Sequence, residues 1–312
     1  MELLEYTAEY GSYPPPQSWR RPFWLGAAAC SRFAQIRRAH CADLSILQRE
    51  FISTLPSLEG LTKGPRVLDV DDAIWLYRRG AAANHLGRVS DHIVCGNQFL
   101  AEHFSRFGKP LSIVPTAVDI AKFQPLARRG LGRRIIGWSG TFGGYEYFAA
   151  IEEKLARLLA GYPDWMLRIV SDRAPKFEHI APSQLEYLPW SPENEVRCIA
   201  EMDIGLMPLD DTPWSRGKCS YKMLLYMACG IPVVVADMGM NREILNMGEV
   251  GIGALSPDDW IAALESLMRD EGRCQRLGAN GRELVERQFS IATVADQWQR
   301  VLASLLPSKQ GR

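Results

Sequence analysis

No stretch of this sequence holds about 18 consecutive apolar residues, so nothing in it reads as a membrane-spanning helix. The N-terminus lacks the charged-then-apolar order of a signal peptide. Net charge is missing too, since 36 Lys and Arg balance 36 Asp and Glu. The molecule therefore offers no general field to nucleic acid or to an anionic membrane; nucleic acid is not an expected partner, and any anion site must be local. The seven cysteines (Cys30, Cys41, Cys95, Cys198, Cys219, Cys229 and Cys274) form no C-x-x-C pair. Such an odd, dispersed set points to reduced thiols in a cytosolic protein and argues against a disulfide framework or a zinc site. The five histidines show no metal spacing either. No glycine-rich turn is followed by Gly-Lys-Ser/Thr, so there is no P-loop. No G-x-G-x-x-G carries an acid about 20 residues on, which argues against an NAD enzyme.

What is present is the composition of a soluble globular protein, 47% apolar and 23% charged, in a chain of 312 residues. That is enough for two domains of ordinary size. Residues 1–42 are the least legible. Met1–Gln17 is polar and aromatic, whereas Trp19–His40 interleaves Arg20, Arg21, Arg32, Arg37 and Arg38 with Phe23, Trp24, Leu25, Phe33 and Ile36. Ala27–His40 reads as an amphipathic helix. It either packs on its own domain with arginines in water, Phe23, Trp24 and Phe33 turned inward, or meets a membrane surface or protein partner.

From residue 43 a βα rhythm begins. Short strands are expected at Leu44–Leu47, Arg66–Val70, His92–Cys95 and Ser112–Pro115, with a helix over Gln98–Phe107. Pro, Gly and Arg then concentrate over Gln124–Arg133, the expected linker. Beyond it, strands are expected at Ile135–Trp138, Met166–Val170, Leu185–Leu188, Asp203–Met207, Ile231–Val235 and Gly251–Ala254. Helices are expected over Tyr145–Ala160, from Ser191, over Tyr221–Cys229, from Ser256 and over Ile291–Leu306. Strands alternating with helices of this length make a doubly wound parallel sheet.

The most informative stretch runs from Pro208 to Glu243. It reads as strand end, polar loop, helix, glycine stop, buried β-branched strand and second polar loop. Ligands of open α/β sheets sit beyond the carboxyl ends of the strands. The loop there carries Arg216, Lys218 and Lys222, which with backbone donors make a seat for a phosphate or diphosphate, or else a solvated basic loop. A second glycine-rich turn, Ser139–Gly144, lies between a strand and a helix. Its Gly140, Thr141, Phe142 and Gly143 either touch a diphosphate or simply make a tight connection. Asp71 and Asp72 follow a buried strand. One of them would orient or deprotonate an acceptor hydroxyl, unless both only cap the next segment.

Four pieces of the chain resemble the donor-binding region of retaining, nucleotide-sugar-dependent glycosyltransferases of family 4. They are Asp203–Leu209, Arg216–Lys222, Met227–Val234 and Asn241–Ile244. Residues 43–115, with Asp71–Trp75 and Val114–Asp119, resemble the later half of that family's first domain. The resemblance implies the GT-B fold: two doubly wound Rossmann-like domains facing across a cleft, here 1–125, shortened, and 126–312, with a terminal helix returning toward the first. It implies transfer of a sugar from a nucleotide-diphosphate donor to a glycan, lipid-linked or small-molecule hydroxyl acceptor, with retention, no cofactor and no obligatory metal. Donor contacts would fall to Arg216 and Lys218 with Lys222 close behind, and to Asn241, Arg242 and Glu243.

Two departures stand out. Aligned through Met227–Gly230, the family's paired glutamates fall on Gly217 and Leu225. The family's first strand with its glycine-containing loop has no counterpart in Met1–Ala42, so either the start lies upstream or the first domain is reduced. Both departures favour the alternative, a non-catalytic nucleotide-binding or partner protein derived from a glycosyltransferase. The expected location is cytoplasmic, with peripheral association at the inner membrane face as the second reading of residues 19–40.

Overall fold

The computed structural model describes residues 14–52, 54–126 and 132–306. The expectations for the extreme N-terminus and for the middle of the linker thus lie outside the described residues. The chain divides into two compact units, one comprising residues to Pro115 together with those from Asp296, the other Thr116–Ala295.

In the first unit, helix α1 (Arg21–Ala39) precedes four parallel strands, β1 (Ser45–Leu47), β2 (Arg66–Val70), β3 (His92–Cys95) and β4 (Leu111–Ile113). They lie side by side in chain order, with Leu47 opposite Leu68 and Val70 opposite Cys95. Helices α2 (Ala81–Val89) and α3 (Gln98–Phe104) supply the crossovers. The sheet adds strands in one direction only, which is one half of a doubly wound fold. Val67, Leu68, Ile93 and Val94 are fully buried, as strands covered on both faces require. The fully buried Glu59 accepts backbone N–H groups from Phe51 (2.6 Å) and Ser57 (3.0 Å) and thereby shapes the loop between β1 and β2.

Helix α1 corrects one expectation. Its inward residues are Ala28 and Ile36, whereas Phe23 is 76% and Phe33 53% exposed. The packing face is the small-residue face, and those two rings do not turn inward.

The second unit holds β5 (Arg134–Ser139), β6 (Trp165–Ser171), β7 (Leu185–Pro189), β8 (Ile204–Met207), β9 (Val233–Ala236) and β10 (Gly251–Ala254). All are parallel, in the order β10-β9-β8-β5-β6-β7. Helices α4 (Glu152–Ala160), α5 (Glu195–Ala200), α6 (Pro213–Arg216), α7 (Tyr221–Ala228), α8 (Gly239–Leu245), α9 (Pro257–Arg269), α10 (Glu271–Gln288) and α11 (Ile291–Leu305) complete the chain, α11 passing into the first unit at Asp296. Val233, Val234 and Val235 are fully buried, and Gly230 takes the left-handed conformation (φ 70°) that ends α7. Ser256 and Asp259 form a capping box at the start of α9. Arg282 donates to the carbonyls of Phe123 (2.6 Å), Ala228 (2.6 Å) and Ile120 (3.2 Å), binding the 120–123 segment into this unit.

Two helix starts differ from expectation. Phe142–Phe148 is a run of 3-10 turns and α4 begins only at Glu152. The Tyr145 and Phe148 rings pack on buried Trp138, at 5.5 and 5.7 Å between centroids, and this tightens the chain there. Likewise α5 begins after Asn194, whose side chain accepts from the Ser191 N–H (3.0 Å) in a turn that precedes the helix.

Candidate functional site

Strand order reverses between β5 and β8, and it is beyond the carboxyl ends of strands at such a reversal that open parallel sheets seat ligands. The Ser139–Gly144 turn leaves one of these strands and the Pro208–Ser220 loop leaves the other. The floor is Trp138, 1% exposed, on the last turnings of β5. Next to it the Ser139 N–H donates to Tyr226 Oη (2.9 Å), a phenol whose burial pushes its ionisation far up. This bond anchors α7 to the end of β5.

Lys222 stands over that floor. Its Nζ lies 4.4 Å from the centroid of the Trp138 ring, and it fills the space a Cβ on residue 140 would need. Glycine at 140 is therefore required by close approach, not by a turn. Among the described residues no carboxylate lies within ion-pair distance of Lys222. Burial, and then repulsion from Lys218, lowers its ammonium to about 8. It is also the second residue of α7, where the helix dipole disfavours a cation. Burial, the neighbouring Lys218 and the helix dipole thus all act against one charge, which has a single cation–π contact in its favour. An anion placed there would relieve all three.

The neighbouring cations are differently disposed. Arg216 is gripped by Asp211 through two bonds, Nε–Oδ1 2.6 Å and Nη2–Oδ2 2.9 Å. Its own guanidinium is raised and the Asp211 carboxyl held low by that bond. Lys218 lies 5.0 Å from the Trp214 ring, half-buried. The expectation ranked Arg216 and Lys218 ahead of Lys222; in the structure Arg216 is held by Asp211, and Lys222 stands against Gly140.

The remaining donor-side residues divide by what they touch. Thr141, Phe142 and Gly143 are exposed at the end of β5. The Phe142 N–H is held by Asp172 (2.8 Å) and its ring lies under the Arg173 guanidinium (3.8 Å). Asn241 is buried: its Oδ1 accepts from Ser220 Oγ (2.7 Å) and its Nδ2 donates to the Ala236 carbonyl (3.0 Å). It braces Ser220, a buried non-glycine residue in the left-handed region (φ 52°), against the end of β9. Arg242 is exposed and bonded to Asp237 (Nε–Oδ1 3.0 Å), and Glu243 is half-buried. Gly217 and Leu225, the positions matched to the paired glutamates, are both buried.

Sequence reasoning passed over an aromatic group beyond the carboxyl end of β7. Trp190 follows β7, 45% exposed, its indole N–H donating to Glu195 (3.1 Å). Glu195 reaches Lys122 (3.7 Å) and, with Asp119, adds to the effect of burial in raising the Tyr221 phenol. The signal was a tryptophan at a strand end followed by Ser-Pro, indistinguishable in sequence from a core residue.

Asp71 and Asp72 belong to the other unit, beyond β2, exposed and half-buried respectively. Asp69, two residues earlier and unremarked in the sequence, is the more perturbed group: burial, then Asp71, pushes its carboxyl up to about 6, against a hydrogen bond from Gln48. Among the described residues no three His, Cys, Asp or Glu cluster as metal ligands, and no helix is long and apolar enough to cross a membrane.

Residues 133–270 match the family model described as glycosyl transferases group 1. No curated protein matches the sequence. Among solved structures, sucrose-phosphate synthase from Thermosynechococcus elongatus is similar at 13% identity, TM-score 0.67, over 96% of this chain and 84% of that one. Anabaena HepE in complex with UDP and glucose is similar at 15% identity, TM-score 0.70, over 94% and 85%. HepE in complex with UDP-glucose aligns over 77% of this chain and 72% of its own, at 16% identity and TM-score 0.63. These likenesses establish the fold, GT-B, with two Rossmann-like parallel sheets.

Proposed function

We propose that this chain is a glycosyltransferase that moves a sugar from a nucleoside-diphosphate donor to a hydroxyl acceptor, with retention and without an obligatory metal. The observation that carries the reading is Lys222, a desolvated ammonium without a carboxylate partner at the switch point of a domain that matches glycosyl transferases group 1. In the reaction the bond from the anomeric carbon to the β-phosphate oxygen breaks and negative charge grows on that oxygen. Lys222, the first N–H groups of α7 and the backbone N–H groups of Thr141 and Gly143 stabilise it there. The acceptor oxygen bonds to the anomeric carbon on the same face, and its proton passes to the departing phosphate. Trp190 and Tyr221 offer aromatic faces for the base, and Lys218 and Arg216 further charge, Arg216 once released from Asp211. Asp71 or Asp72 is assigned to orienting the acceptor hydroxyl. Because a structural relative was solved with UDP-glucose, that donor is the first to try.

A second reading, a nucleotide-binding protein without turnover, is favoured by Gly217 and Leu225, which offer no carboxylate to a ribose or sugar hydroxyl. Incubation with a panel of nucleotide sugars and hydroxyl acceptors separates the two. Nucleoside diphosphate released together with a product of unchanged anomeric configuration supports transfer. Donor binding without release in every combination supports the second reading, and the absence of both overturns the two together.

A further inference from the structure

We propose that the outward face of α1 is a docking surface for an anionic phospholipid bilayer. Trp19, Phe23, Cys30, Phe33 and Arg37 recur at spacings of three, four or seven residues and so share one side of the helical segment. That side is turned out: Trp19 is 66%, Phe23 76% and Phe33 53% exposed. Rotation cannot bury it, because the opposite side is fastened. Ala28 and Ile36 are buried, and Arg32 donates to the Phe51 carbonyl (3.1 Å) with its guanidinium 5.4 Å from the Phe51 ring.

Charge identifies the occupant. From Pro14 to Ala42 there is no Asp or Glu, while Arg20 and Arg21 stand at one end of the stripe and Arg37 and Arg38 at the other. In a chain of zero net charge this is a local concentration of one sign. The three rings of the stripe present about 400 Å² of aromatic surface, about half of what each partner contributes to a stable protein interface. Rings spaced along a helix and flanked by arginines are instead suited to the headgroup layer, where each ring inserts separately and each arginine meets lipid phosphate.

The test is flotation of the full chain with vesicles of phosphatidylcholine alone or mixed with phosphatidylglycerol. Binding to the mixed vesicles only, weakening as salt rises, is the expected result. Replacing two charges in R20Q/R37Q should lower the partition about 25-fold, at about fivefold per arginine. F23S/F33S should lower it comparably, with thermal unfolding unchanged in both variants. The proposal fails if the chain does not float with anionic vesicles, or if both variants float like the parent. It fails equally if F23S/F33S converts a dimer to a monomer without changing flotation, which would make the face a protein interface.

Discussion

The Lys222 ammonium occupies the space that a Cβ on residue 140 would need, with the buried Trp138 ring beneath both. The glycine at the end of β5 and the lysine at the start of α7 are therefore one structural unit. Gly140→Ala should separate them. The Trp138 ring has nowhere to move, so the variant should lose about 1–3 kcal/mol of stability by overpacking. Its affinity for UDP should fall with it. Denaturant unfolding and calorimetric titration read the two effects, and wild-type values in both would show that the contact is loose.

Lys222 also predicts a pH dependence of stability. Its folded value of about 8 lies below the ordinary 10.5. Between these values the unfolded chain holds a proton that the folded chain has released, so this group's contribution to stability rises with pH across that window. At pH 7 the buried charge costs stability. Lys222→Met should therefore stabilise the ligand-free protein at pH 7, by about 1–3 kcal/mol, with the gain fading toward pH 10.5. Urea unfolding of both proteins at pH 7 and pH 10 measures the difference; a variant less stable than the parent at pH 7 would contradict it.

Much of the second unit was legible because its strands are buried on both faces: Ile231–Ala236 is continuously apolar, and Gly230 marks the end of α7. Helix α10 was not, since its buried positions include Gly278 and Gly281 among charged residues. Those glycines allow close packing on Gly230 and Met227, a reason invisible without the neighbour. The site's basic residues could be named from sequence, but not ranked. Arg216 and Lys222 differ in whether a carboxylate reaches them, and that depends on how the 210–222 loop folds. The outward stripe of α1 was illegible for a related reason, as small residues took the packing face that large ones usually hold.

Asp211 holds Arg216 in the ligand-free protein, so loosening that grip should favour a phosphate. Asp211→Asn should raise UDP affinity several-fold, and Arg216→Ala should weaken binding less than Lys222→Met does. Titrations of the three variants against one ligand give the order directly. An Arg216→Ala loss larger than that of Lys222→Met would reverse the ranking.

Leu225 is 3% exposed, although the resemblance aligns it with a ligand-binding glutamate. Leu225→Glu should place a carboxylate among packed side chains and cost about 3 kcal/mol or more. Should the variant instead unfold like the parent and bind UDP-glucose more tightly, the position would face the ligand.

The central claim is that Lys222 seats the diphosphate of the donor, and the UDP affinity measured against pH tests it most directly. A terminal phosphate titrates at about 6, so above pH 7 the ligand's charge is fixed and only the protein titrates. Wild-type affinity should fall as pH rises through about 8, where Lys222 loses its proton. Lys222→Arg should stay flat to pH 9, and Lys222→Met should bind about 1.5–3 kcal/mol more weakly at pH 7 with no such inflection. A Lys222→Met protein that binds UDP as the parent does, with the same pH profile, would contradict the account.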